Sequence, residues 1–109
     1  MRAGQLDQII LIESRVDTVD AVGQPVPSWS TWAADVPAAF DPAKGREFFS
    51  AQGLQVERAA RFRTRWLTGL AAGMRVVYDG ATWDIASVEQ MYGRDRDLHI
   101  YAATGLTAG

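Results

Sequence analysis

Three arginines alternate with other side chains along one short segment. Arg61, Arg63 and Arg65 fall on one side, and Phe62, Thr64 and Trp66 on the other. Period two is the signature of a half-buried strand. Guanidinium groups at i and i+2 on one sheet face stand about 7 Å apart, near the phosphate spacing along a nucleic-acid strand. The same comb fits an acidic strand of another chain, and it fits a solvated sheet face equally well. Other chemistry has little to work with. The single histidine, His99, lies at an outward strand position between Leu98 and Ile100. No nucleophile is placed for it to activate, so it reads as a solvated side chain. Cysteine is absent, which excludes disulfides, thiolate metal sites and a cysteine nucleophile. One histidine excludes a multi-histidine metal centre within the chain. Asp17 and Asp20 lack the spacing of a calcium loop, and no glycine-rich phosphate loop follows a strand. No catalytic residue, metal ligand or cofactor is expected.

The comb sits inside a basic block. Residues 1–43 carry two arginines against six acids, residues 44–75 seven basic residues against two acids, and residues 76–109 two arginines against five acids. The net charge of -2 thus hides an acidic–basic–acidic order. Such a block points to a polyanionic or acidic neighbour. Ten of the eleven basic residues are arginine, so a coding bias accounts for the block equally well. The block opens with Ala43–Glu57 (AKGREFFSAQGLQVE), which has no clean period and is punctuated by Gly45 and Gly53. It reads as a long loop, with a short partial helix over Leu54–Ala60. Phe48 and Phe49 have no periodic place in a core. Of the four tryptophans, Trp66 and Trp83 fall on inward faces, while Trp29 and Trp32 remain open between core packing and a base-stacking platform.

These residues need a scaffold, and 109 residues with 48% apolar content make one soluble-type domain. The aliphatic run Ile9–Ile12 is far too short to span a membrane, and Asp7 interrupts any signal-peptide core. Gln8–Val16 reads as a strand, Asp17–Pro27 as a loop, and Trp29–Val36 as a second strand. Pro37 marks a bulge or edge before Ala38–Phe40 resumes the strand, and Asp41-Pro42 ends it. Asp79-Gly80 suits a two-residue type I′ turn between Met74–Tyr78 and Ala81–Met91. That register pairs Tyr78 with Ala81, Val76 with Trp83 and Met74 with Ile85 on one face. The other face pairs Val77 with Thr82 and Arg75 with Asp84, an opposite-charge pair. Tyr92–Arg96 reads as a turn and Asp97–Ala103 as the last strand, with Leu98, Ile100 and Ala102 facing in. The fold class is mainly β: a small antiparallel β-barrel of five or six strands, with one long mid-chain loop and a short helix. Residues 1–104 form the domain and residues 105–109 a flexible tail.

The order of these features resembles the head–tail joining (head-completion, or stopper) family of tailed phages and gene transfer particles. The likeness runs from Gly4-Gln5-Leu6-Asp7 through the Gly23 loop, Trp32, Val36-Pro37-Ala38 and Lys44-Gly45-Arg46-Glu47. It continues in Phe62-Arg63-Thr64-Arg65-Trp66, Gly73-Met74-Arg75-Val76, Tyr78-Asp79-Gly80, Trp83-Asp84-Ile85 and Asp97-Leu98. Trp66 and Leu67 depart from the family pattern. The resemblance implies a non-enzymatic virion protein that assembles with itself into a sixfold or twelvefold ring. The ring would lie between a portal-adaptor protein on the head side and the tail terminator or tail tube on the other. It would seal packaged double-stranded DNA, offer a docking surface to the tail, and involve no membrane. In such a ring the mid-chain loop, with Lys44, Arg46, Phe48, Phe49 and Gln52, is expected to face the channel as a gate; the alternative is a surface loop whose phenylalanines fold back onto the barrel. Arg61, Arg63 and Arg65 are expected at an interface between subunits or with neighbours. The alternative is an independent small β-barrel that binds nucleic acid.

Overall fold

The computed structural model describes residues 6–92 and 96–105. The elements run β1 (Gln8–Val19), β2 (Pro25–Asp41), α1 (Pro42–Ala51), β3 (Arg58–Arg65), β4 (Arg75–Tyr78), β5 (Ala81–Met91) and β6 (Asp97–Thr104). The six strands close into an antiparallel barrel in the order β1-β2-β3-β6-β5-β4. Closure leaves no sheet edge around the barrel. The core buries the aliphatic side chains Ile10, Ile12, Val76, Leu98 and Ile100. Among them Phe40, Phe62, Tyr78 and Trp83 pack with ring centroids 5.0–5.8 Å apart. Tilted and edge-on rings at this spacing suit the aromatic quadrupole.

The Asp79-Gly80 hairpin has the expected register from Arg75↔Asp84 to Tyr78↔Ala81. The Ile85 N–H donates to the Met74 carbonyl at 3.0 Å, extending the ladder one step further. Asp79 and Gly80 adopt φ of 53° and 73°, as a type I′ turn requires. Arg75 and Asp84 face each other, but the ion pair goes elsewhere: Arg75 Nε donates to Glu13 Oε1 on β1 at 2.6 Å. In a closed barrel β4 has a second neighbour, and that neighbour carries the better-placed carboxylate.

The first hairpin is longer than its composition suggests. Asp17–Val19 and Pro25–Ser28 are strand, not loop, and the turn is confined to Asp20–Gln24. Asp20 organises that turn: its Oδ1 accepts from the Val22 and Gln24 N–H groups at 3.0 and 2.9 Å. The Asp20 N–H donates to the Gln24 carbonyl, so the next pair, Val19↔Pro25, is a non-hydrogen-bonded one, and Asp17↔Pro27 has the same parity. Both prolines therefore sit where a ladder N–H is not needed. The bulge read near Pro37 lies at Ala34-Asp35, two residues that face Leu11 alone, with Asp35 at φ 53°.

The mid-chain segment is the main correction. It is not a long loop: Pro42–Ala51 is an α-helix, and the helix expected over Leu54–Ala60 is absent, since Arg58–Ala60 is strand. Asp41 caps the helix by accepting from the Lys44 N–H at 3.1 Å, and Pro42 occupies the first turn. This is a standard helix start that had been read only as a strand end. Gly45 is not a loop hinge. It is buried where α1 crosses β3, and a Cβ there would fall on the backbone N, Cα and C of Ala60. Phe49 is 1% exposed and anchors a second cluster with Ala59 and Ala103, whose outward faces form a floor for the helix. The turn expected at Tyr92–Arg96 and the tail at 105–109 lie largely outside the described residues.

Candidate assembly surfaces

The arginine comb is built into the barrel wall. Arg61 donates to Asp41 Oδ2 at 3.4 Å and Arg63 to Asp97 Oδ2 at 3.0 Å, each arginine side chain 21% exposed. Asp41 thus caps α1 with one carboxylate oxygen and holds Arg61 with the other. Arg65 is exposed at the strand end. The three share one face as expected, but only Arg65 presents its head group to solvent. These part-buried pairs fix the arginines in the wall.

His99 stands opposite Arg63 on β3 and Glu89 on β5. Its side chain is 14% exposed, with Nδ1 3.8 Å from Glu89 Oε1. Burial lowers its pKa below 6.5, Arg61 and Arg63 push the same way, and Glu89 and Asp97 oppose them. The solvated histidine expected from the sequence is therefore a half-enclosed wall residue.

The residues expected to form a channel gate separate. Lys44 and Arg46 are exposed on α1 and Gln52 at its C-cap, and Lys44 reaches Glu47 at 3.5 Å. Phe48 and Phe49 turn back onto the barrel. Phe48 stacks on Tyr101 with centroids 4.3 Å apart, and Phe49 is in the second cluster. Both rings make these contacts within the chain. A groove of about 880 Å³ lies between the α1 end of the chain and the barrel mouth. Phe40, Leu54, Val56 and Trp83 give it apolar walls, and Arg46 and Arg58 line it as well. Arg58 lies over the Trp83 ring at 4.7 Å.

The open tryptophans resolve as scaffold. Trp32 packs against the core, and Trp29 is covered by the Arg75 guanidinium at 4.2 Å. Trp83 is buried, and Trp66 is partly buried beneath Arg96 at 4.3 Å.

Sequence reasoning missed one feature. Beyond Glu13↔Thr31 the β1–β2 ribbon leaves the barrel, because β1 pairs with β4 only over Leu11–Glu13 and β2 with β3 only over Ala38–Asp41. At about 3.4 Å per residue the projecting part of β1 is roughly 20 Å long. That accounts for a long axis of 54 Å against 29 and 26 Å. Val16, Val19, Val22 and Val26 are exposed along it, Val22 by 79%. The alternation of β-branched residues through Val19 was the available signal, masked by the Pro and Gly content of the turn.

Among the described residues no group of three or more His, Cys, Asp or Glu side chains could hold a metal ion, and no helix is long and apolar enough to cross a membrane. A closed small barrel with an external helix, a projecting arm and an apolar groove defines a structural, surface-presenting module. A model of the phage head completion protein family matches residues 1–105, and the chain belongs to that family. Its role is thus structural, at the phage head, and its place is the virion. The fold is similar to the solution structure of protein SF1141 from Shigella flexneri 2a, with TM-score 0.75 and 21% identity over 96% of this chain and 97% of that one. It is also similar to a chain of the native gene transfer agent virion, with TM-score 0.60 and 12% identity over 96% and 98% of the two chains. No curated protein matches the sequence.

Proposed function

We propose that the chain is a ring-forming connector at the head–tail boundary, which retains packaged double-stranded DNA and offers the tail its docking surface. The observation that carries this reading is the set of exposed valines on a projecting arm, on a molecule whose own core is complete. Exposed apolar side chains gathered on a projecting arm, Val16 and Val26 on one face and Val19 on the other, mark an interface on a small finished domain. Family membership supplies the context of the phage head, and the gene transfer agent neighbour is a particle component with the same fold. In this reading the portal adaptor lies on the head side and the tail terminator or tube on the other. Of the segment expected to form a gate, Lys44 and Arg46 are the exposed cations on α1; Arg46 lines the groove, so Lys44 is the one offered to DNA in this reading. An independent nucleic-acid-binding barrel is disfavoured, because Asp41 and Asp97 already hold two of the three comb arginines.

The test is a particle assembled without this chain. Heads that fill with DNA, then lose it and stay tailless, are the expected result. Fully tailed, infectious particles would overturn the reading.

A further inference from the structure

We propose that the ring is closed by the β1–β2 arm of each subunit seated in the α1–barrel groove of the next copy of this chain. The inference rests on the ring reading above and names the contact that would build it.

The arm has two unlike faces. Val16↔Ser28 and Thr18↔Val26 are direct cross-strand pairs, so these four uncharged side chains share one face. Val22 crowns the tip, and the Arg15–Asp17 ion pair lies on the opposite face together with Val19. The groove is complementary: Leu54 and Val56 supply an apolar wall with Phe40 beside them, Trp83 lies beneath Arg58, and Arg46 supplies positive charge near Glu57, while Arg58 reaches Asp79 at 3.8 Å. Leu54 is 44% exposed within it. The arm tip brings Asp20, whose carboxylate organises the turn. Valines would meet apolar walls, and Asp20 would meet Arg46.

The outer edge of the arm bears on the mode of contact. Pro25 and Pro27 remove N–H groups from the free side of β2, which blunts strand addition along that edge. The arm is therefore suited to docking by its side chains. A tip on one copy entering a groove on the next is a heterologous contact, and repeated with a fixed rotation it generates a closed ring. The same pairing accounts for two exposed apolar features on one chain with a single kind of partner.

The absence of cysteine makes the contact directly testable. Particles are assembled with a chain carrying both Val22→Cys and Leu54→Cys, then oxidised. A ladder of cross-linked multimers ending at one closed size is expected, with no ladder from either single variant. In parallel, Val22→Asp is expected to give a folded chain, by circular dichroism, that enters particles at a tenth of the wild-type copy number or less, while Val22→Ile enters normally. Incorporation of Val22→Asp at wild-type copy number overturns the contact, as does a ring of normal stoichiometry without the cross-link. Either result leaves the ring itself standing. Particles in which this chain forms no ring at all, by direct imaging, sink the underlying reading instead.

Discussion

Gly45 carries more of the fold than its type suggests. Glycine inside a helix normally costs about 1 kcal/mol against alanine, yet here α1 rests on the Ala60 backbone with no room for a Cβ. Gly45→Ala gains that propensity and loses the crossing. Overpacking of this kind costs roughly 1–3 kcal/mol and more when the obstacle is backbone. A net loss of about 2 kcal/mol is expected, read as a fall of roughly 10 °C in melting temperature; an unchanged melt would show that α1 can lift off β3 freely. Phe49 tests the same packing from the side-chain end. Phe49→Ala is expected to cost about 3–5 kcal/mol as a core truncation, where a channel gate would have left stability untouched. His99 adds a pH signature. Its folded pKa lies below 6.5, so on acidification the unfolded chain takes up the proton more readily than the folded one. Stability from this residue is therefore intact above 6.5 and lost as the pH falls through and below it. Wild type should lose more stability between about pH 7.5 and about pH 5.5 than His99→Gln does, by denaturant unfolding at each pH. Equal losses would mean that His99 is as solvated in the barrel as in the unfolded chain.

Elements with a strict local rule were legible in the sequence, and elements positioned by tertiary contact were not. Asp79-Gly80 demands positive φ at both residues, and alternation on either side then fixes the register. Gly80→Val should accordingly destabilise by more than about 1 kcal/mol through backbone strain alone, since nothing lies within 4 Å of the missing Cβ. A melt identical to wild type would contradict the turn. The helix was lost because Gly45 and Gly53 look like loop punctuation when no partner surface is in view. The start signal, Asp41-Pro42, was present and outweighed. Ala59 and Ala60 look like helix formers, but they are strand residues whose small side chains let α1 come close. The arm was lost for a related reason. Pro25 and Pro27 argue against a strand only where every N–H must be paired, and on a ribbon outside the barrel that condition lapses. Of the candidate site, the comb's shared face was legible, but its partners Asp41 and Asp97 lie on β2 and β6, brought alongside only by barrel closure.

At the scale of the molecule the question is which charges hold the barrel and which face neighbours. The sequence alternates acidic, basic and acidic blocks, but folding already spends part of that contrast within the chain. Arg63 is locked to Asp97, both side chains about one-fifth exposed, so Arg63→Glu places two carboxylates side by side on the barrel wall. Its first effect should be on stability, and adding Asp97→Arg to the same chain should restore the melting temperature by reversing the pair. Arg65 stands exposed at the end of the same strand. Arg65→Glu should leave the melt within about 2 °C of wild type, because surface substitutions away from the core, the caps and the buried pairs change stability little. Charge at an interface rim acts instead on association rate and partner choice. Arg65→Glu is therefore expected to slow incorporation into particles, most strongly at low salt, where screening is weakest. Copy number per particle and the tailed fraction, measured at two salt concentrations beside the two melts, separate the roles. If Arg65→Glu particles match wild type in both counts at low salt, the comb serves only the barrel, and docking falls to the arm and the groove.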